Sequence, residues 1–138
     1  MAYTTESFQK ETLKPWGREL LLTSPFLSQT GKILEVRAGM RLSLQYHETK
    51  EETLCLYSGQ ATLELENSRG ELEKLDMEPL KGYYIAPKQK HRLCAITDCA
   101  VFEVSSPETG TTVRVEDDFG RPDETEAMRA GESRGQNA

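Results

Sequence analysis

From Met40 to His47 the chain alternates. Met40, Leu42, Leu44 and Tyr46 fall on one side, and Arg41, Ser43, Gln45 and His47 on the other. A period of two sustained over such a stretch belongs to a half-buried strand and not to a helix. The same kind of segment recurs along the chain: Arg18 to Thr23, Lys32 to Arg37, Thr53 to Tyr57, Gln60 to Glu66, Glu71 to Leu75, Tyr83 to Ala86, Arg92 to Ile96 and Ala100 to Val104. Thr112 to Val115 adds one more. Turn residues separate them, as in Asn67-Ser68-Arg69-Gly70 and Pro79-Leu80-Lys81-Gly82. No amphipathic helix longer than about three turns interrupts the series. Many short, evenly punctuated strands predict an all-β sandwich or barrel.

At 138 residues the chain has the length of a single domain with one real core. Residues 1–12 read as a polar N-terminal arm, 13–121 as the folded domain and 122–138 as a flexible acidic tail. The net charge is −6, but beyond Pro107 eight acids face four arginines, so the body itself is near neutral. Without a clustered basic face, nucleic acid is excluded as a partner. No apolar run approaches the roughly 18 residues of a membrane span, and Met1 to Glu6 lack the basic and apolar regions of a signal peptide. The expected compartment is the cytoplasm. Three cysteines without a CxxC pair suggest neither a disulfide framework nor a zinc ribbon.

Chemistry concentrates around the alternating stretch. Gln45 and His47 stand at i and i+2 and leave a strand on the same side. A short polar connection then delivers Glu52 at the head of the next strand. The chain's other histidine, His91, follows the turn at Pro87. Gln45, His47, Glu52 and His91 make a nitrogen and oxygen ligand set for a divalent metal ion: Zn, with Mn, Fe, Ni or Co as alternatives. Four protein ligands leave one or two positions for water or substrate, the arrangement of a reactive site. Arg41 shares the facing of Gln45 and His47, which directs it toward the cavity, either onto a substrate anion or onto an inward acid. Lys90, beside His91, is a second substrate-binding candidate, for a phosphate. Lys50 is the candidate catalytic residue, as a substrate contact or as a base should desolvation lower its pKa.

These residues match the two motifs of the cupin superfamily. Gly39, Gln45, His47, Glu52 and Gly59 resemble G-x5-H-x-H-x(3,4)-E-x6-G, with Gln45 in the slot of the first His. Gly82, Pro87 and His91 resemble G-x5-P-x-G-x2-H, with one residue fewer before Pro87 and before His91, and no inner glycine. The order Gln-His-Glu-His is similar to that of the phosphomannose isomerases. Lys14-Pro15-Trp16-Gly17, Leu42-Ser43-Leu44-Gln45 and Val113 to Arg121 resemble the cupin domain of the type II enzymes. The chain departs from those enzymes at Thr49 and Lys50, which stand where they carry a further His and an Arg, and at His91-Arg92-Leu93-Cys94-Ala95, which loses an acid and an amide.

The resemblance implies a small double-stranded β-helix, or jelly-roll, barrel with the metal inside its mouth. It also implies aldose–ketose isomerisation of a hexose 6-phosphate such as mannose 6-phosphate. In such a reaction a base removes the C2 proton and a cis-enediol is reprotonated at C1. Two alternatives stay open: another metal-cupin chemistry on a small acid, such as a dioxygenase or lyase reaction, and a non-catalytic small-molecule-binding cupin. The expected partners are a small-molecule substrate, an anionic sugar, and a second copy of the chain in a homodimer that covers exposed strand edges.

Overall fold

The computed structural model describes residues 3–131. Eleven strands run in the order β1 (Lys10–Lys14), β2 (Gly17–Leu21), β3 (Thr30–Val36), β4 (Leu44–His47), β5 (Glu52–Ser58), β6 (Ala61–Glu66), β7 (Leu72–Asp76), β8 (Gly82–Ile85), β9 (His91–Ala95), β10 (Cys99–Ser105) and β11 (Thr112–Glu116). One short helix, α1 (Glu126–Ala130), follows. The strands form two antiparallel sheets, ordered β1-β2-β3-β10-β5-β8 and β11-β4-β9-β6-β7. The pairs β3–β10, β4–β9, β5–β8 and β6–β7 nest inside one another and alternate between the sheets. That is a long hairpin wrapped into a jelly roll.

Register divides the interior into two storeys. Val101 stands opposite Leu34 on β3 and Leu56 on β5, and Glu103, two residues on, stands opposite Lys32. Since i and i+2 share a face, each of these strands runs from an apolar half to a charged half on its inner side. Leu34, Val36, Leu54, Leu56, Leu63, Ile85, Leu93 and Val101 close the apolar end, with Trp16 and Met77 packed among them. Leu63, Ile85 and Val101 have no exposed surface, and each such burial contributes about 1.5–3 kcal/mol. At the other end Glu19, Lys32, Lys50, Glu52 and Glu103 are all buried. The candidate functional site lies there.

The structure revises several expectations. Lys10 to Lys14 is a strand that pairs with β2 around the Pro15-Trp16 turn, so the N-terminal arm ends earlier than expected. Regular pairing on the alternating stretch begins only at Leu44; before it, Arg41 makes a single bridge to Cys94. Residues 122–131 pack on the barrel and are not a loose tail: Glu124 is buried and exchanges backbone hydrogen bonds with Thr112 at 2.9 Å. Thr125 then caps α1, its hydroxyl accepting from the Met128 N–H at 3.2 Å. The rest of the expected acidic tail, 132–138, lies outside the described residues. Among those described, no helix is long and apolar enough to cross a membrane.

Candidate metal centre and its cavity

The end of β4, the start of β5 and the start of β9 converge, which brings His47, Glu52 and His91 together. All three are buried. Glu52 Oε1 lies 3.6 Å from His47 Nε2 and 3.2 Å from His91 Nε2. Two atoms each about 2.1 Å from a shared ion stand about 3–3.4 Å apart at octahedral or tetrahedral angles, so the spacing suits a common metal. The ring orientations suit it as well. His91 Nδ1 donates to the Gln89 carbonyl at 2.9 Å, and His47 Nδ1 lies 2.8 Å from the Thr112 hydroxyl. With Nδ1 engaged, Nε2 is the free donor atom of each ring. Among the described residues neither Nε2 has a hydrogen-bond partner, which is a costly state for a buried nitrogen unless something else occupies it.

Electrostatics keep the cluster ready for a cation. Burial first, and then the Lys50 charge, hold His47 below its ordinary pKa, which favours the neutral ring that a metal would require. Burial opposes ionisation of Glu52, but Lys50 and the two imidazoles outweigh it and hold the carboxyl well below its usual range. The group can hold a metal ion.

Gln45 faces His91 directly in the β4–β9 register and lines the same cavity as His47. Its Oε1 accepts from the Ser43 hydroxyl at 2.5 Å, and an amide oxygen retains a second lone pair. Ser43 and Gln45 therefore keep the inward facing that the alternation predicted.

Lys50 is no solvated turn lysine. Its Nζ lies 3.1 Å from Glu52 Oε2, Glu103 Oε2 and Glu108 Oε1. Burial alone would lower its pKa, but Glu103, Glu108 and Glu52 hold the ammonium well above its ordinary range. The condition for a lysine base, a lowered pKa, is thus not met. Arg41 turns the other way from the expectation: Nε and Nη2 donate to Asp118 at 2.6 and 2.8 Å on the surface. The reason is local, because the alternation lapses before regular pairing starts and Leu42 takes the place on the cavity wall. Lys90 also stands outside that wall, in a depression with Tyr46, Glu48 and Glu66.

The cavity has a volume of about 60 Å³. Sequence reasoning missed several of its charged residues: Glu19, Lys32, Glu103, Glu108, Arg114 and Arg121. A signal for some was present, since Lys32 and Glu103 sit in the apolar phase of alternating strands, before Leu34 and after Val101. Glu108 joins two lysines in the loop after β10, pairing with Lys50 and also with Lys32. Burial and the nearby Glu52 charge raise the Glu103 pKa, although Lys50 and Lys32 pull it down.

No protein-family model matches the chain, and no curated protein matches its sequence. Solved structures do match. Oxalate decarboxylase from Bacillus subtilis aligns with a TM-score of 0.68 at 16% identity, over 83% of this chain and 33% of that one. The capsular polysaccharide assembling protein CapF from Staphylococcus aureus gives 0.66 at 12% identity, over 88% and 32%. KdgF from Halomonas sp. gives 0.57 at 18% identity, over 73% and 86%. This chain thus spans about a third of the first two proteins. At these identities the likeness speaks for the fold, which together with the nested strand pairs establishes that the chain carries the cupin-type jelly-roll barrel its motifs imply.

Proposed function

We propose that the chain is a metal-dependent cupin enzyme that holds one divalent ion on His47, Glu52, His91 and Gln45 and acts on a small, oxygen-rich anion. The observation that carries this reading is the pair of buried, unpartnered Nε2 atoms of His47 and His91, both close to the Glu52 carboxylate. Zinc is the first expectation for the ion; Mn(II) centres are named for oxalate decarboxylase from Bacillus subtilis, and the ligand set accepts either. Such an ion, when bound, supplies Lewis acidity toward substrate oxygens. The remaining work falls to the chain. Lys50, as a fixed ammonium, offers positive charge and not a base. Glu103 lines the cavity with a raised pKa and is the better candidate to take up a proton.

The finer reading is aldose–ketose isomerisation of a hexose 6-phosphate, supported by the Gln-His-Glu-His order and its accompanying motifs. A second reading, chemistry on a small acid, is favoured by the cavity: 60 Å³ has room for about four to six water-sized groups. Pockets for larger ligands measure roughly 300–1,000 Å³. The experiment is proton NMR of mannose 6-phosphate and fructose 6-phosphate in D2O with metal-loaded protein. Deuterium entering beside the carbonyl carbon, and lost in His91→Ala, supports the isomerase. No exchange with Zn, Mn, Fe or Co removes that reading and leaves small acids as the substrate class.

A further inference from the structure

A row of side chains crosses the five-stranded sheet toward the metal centre. Arg114 on β11 is the register partner of Gln45 on β4, and Gln45 is the partner of His91 on β9. Directly opposed residues share a face, so Arg114, Gln45 and His91 project to one side. Arg114 and Gln45 both line the cavity.

The Arg114 side chain is only 5% exposed. Nη1 donates to the Pro122 carbonyl at 2.5 Å, and Nη2 to Glu124 Oε2 at 3.3 Å. Its buried Nε–H has no hydrogen-bond partner among the described residues. A guanidinium cannot shed its charge, and a buried N–H left unmade costs about 1–3 kcal/mol. Two of its nitrogens are clamped by residues 122–124, so the third is held in place. Among the described residues the neighbouring acids pair with other cations: Glu108 with Lys32, Lys50 and Arg129, and Asp117 with Arg121 at 2.9 Å.

Charge points to the same occupant. Lys14, Lys32, Lys50, Arg114 and Arg121 line the cavity against Glu19, Glu103, Glu108 and Glu124. A divalent ion on a centre with one carboxylate, Glu52, tips this wall further toward positive. Arg114 lies two strand spacings from His91, roughly 10 Å between backbones, which an arginine and a short anion can bridge.

We propose that Arg114 is a substrate-binding residue whose Nε–H holds the carboxylate of a small acid in the cavity beside the metal centre. This rests on the metal-centre reading and narrows its substrate class to a carboxylate of two or three carbons.

The test uses the full chain in two arms. Zn binding is measured first by calorimetry on chelator-stripped protein; glycolate and inorganic phosphate are then titrated into the Zn-loaded protein. Glycolate is expected to bind, and Arg114→Gln to weaken it by at least tenfold while Zn affinity stays within twofold. Arg114→Lys falls between, because an ammonium keeps the charge without the planar fork. In the wild-type protein the Arg114 Nε–H resonance is expected to move downfield on glycolate addition, a readout that requires no variant. Absence of Zn binding overturns the metal-centre reading and this inference with it. Zn binding with an unmoved Nε–H resonance, or with glycolate affinity unchanged in both variants, overturns the inference alone. Phosphate binding in preference to glycolate overturns the carboxylate assignment.

Discussion

Glu52 Oε1 lies 3.2 Å from His91 Nε2, yet the two residues belong to different sheets: Glu52 opens β5 of the six-stranded sheet and His91 opens β9 of the five-stranded one. The cluster therefore spans the two walls of the barrel, and an ion held there ties them together.

That geometry predicts how metal binding responds to substitution. Thr112→Val removes the hydroxyl beside His47 Nδ1 and is expected to weaken Zn binding by about 10–100-fold, as loss of an orienting partner does. His91→Ala removes a ligand and costs more. Competition with a chromophoric chelator measures both. Equal affinity in His91→Ala and wild-type protein would place the metal elsewhere.

Lys50 neutralises a buried cluster. Lys50→Met leaves Glu52, Glu103 and Glu108 without their shared cation, and breaking a buried pair in this way costs about 3–5 kcal/mol. Glu103→Gln removes one acid and is expected to cost less. Urea unfolding of the two variants ranks them, and a Lys50→Met midpoint at the wild-type value would mean that the cluster is not organised around this ammonium.

Acid stability depends on Asp117. Burial alone would raise its pKa, but hydrogen bonds from the Arg121 side chain and backbone outweigh that and hold it below its ordinary 3.8. A depressed carboxyl stabilises the fold above the unfolded-state pKa and loses that contribution as pH falls through the folded value. The stability advantage of wild type over Asp117→Asn should therefore be full above about pH 5 and shrink below about pH 4. Thermal melts across this range test it; an advantage that grows toward low pH contradicts the pairing.

Gly59, the last residue matched to the first cupin motif, closes the turn between β5 and β6 with a φ of +81°. A Cβ there would stand 2.2 Å from the Asp98 carbonyl oxygen and 2.8 Å from the Cys99 Cα. Gly59→Ala combines left-handed strain of about 1–2 kcal/mol with a backbone clash, so a loss above 2 kcal/mol is expected. Gly39, also positive in φ at +78°, has nothing within 4 Å of such a Cβ, and Gly39→Ala should show the strain alone. Similar melting temperatures for the two variants would argue against the clash.

Much of the strand order was legible, because alternation is a local property: a pleated backbone turns successive side chains to opposite faces whatever they later meet. Gln45 and His47 could thus be assigned to one face before any partner was known. The same rule failed at Arg41, where pairing is a single bridge and the facing slips. It also carried no warning of residues 122–131, whose attachment depends on Glu124 meeting Arg114 and on Arg129 meeting Glu108, pairings made outside the segment itself.

The amino-acid sequence by itself determined the class of the fold and singled out His47, Glu52 and His91, which the structure brings together, and Gln45, the register partner of His91, since residue types and their spacing are written along the chain. Only the tertiary structure decided what the charges do. It buried Lys50 among three acids, turned Arg41 out to Asp118 and left the Nε–H of Arg114, a residue of the cavity wall, without a partner among the described residues. The physical reason is that a buried charge takes its pKa and its role from neighbours brought up by strand register, and register is settled between segments far apart in the chain.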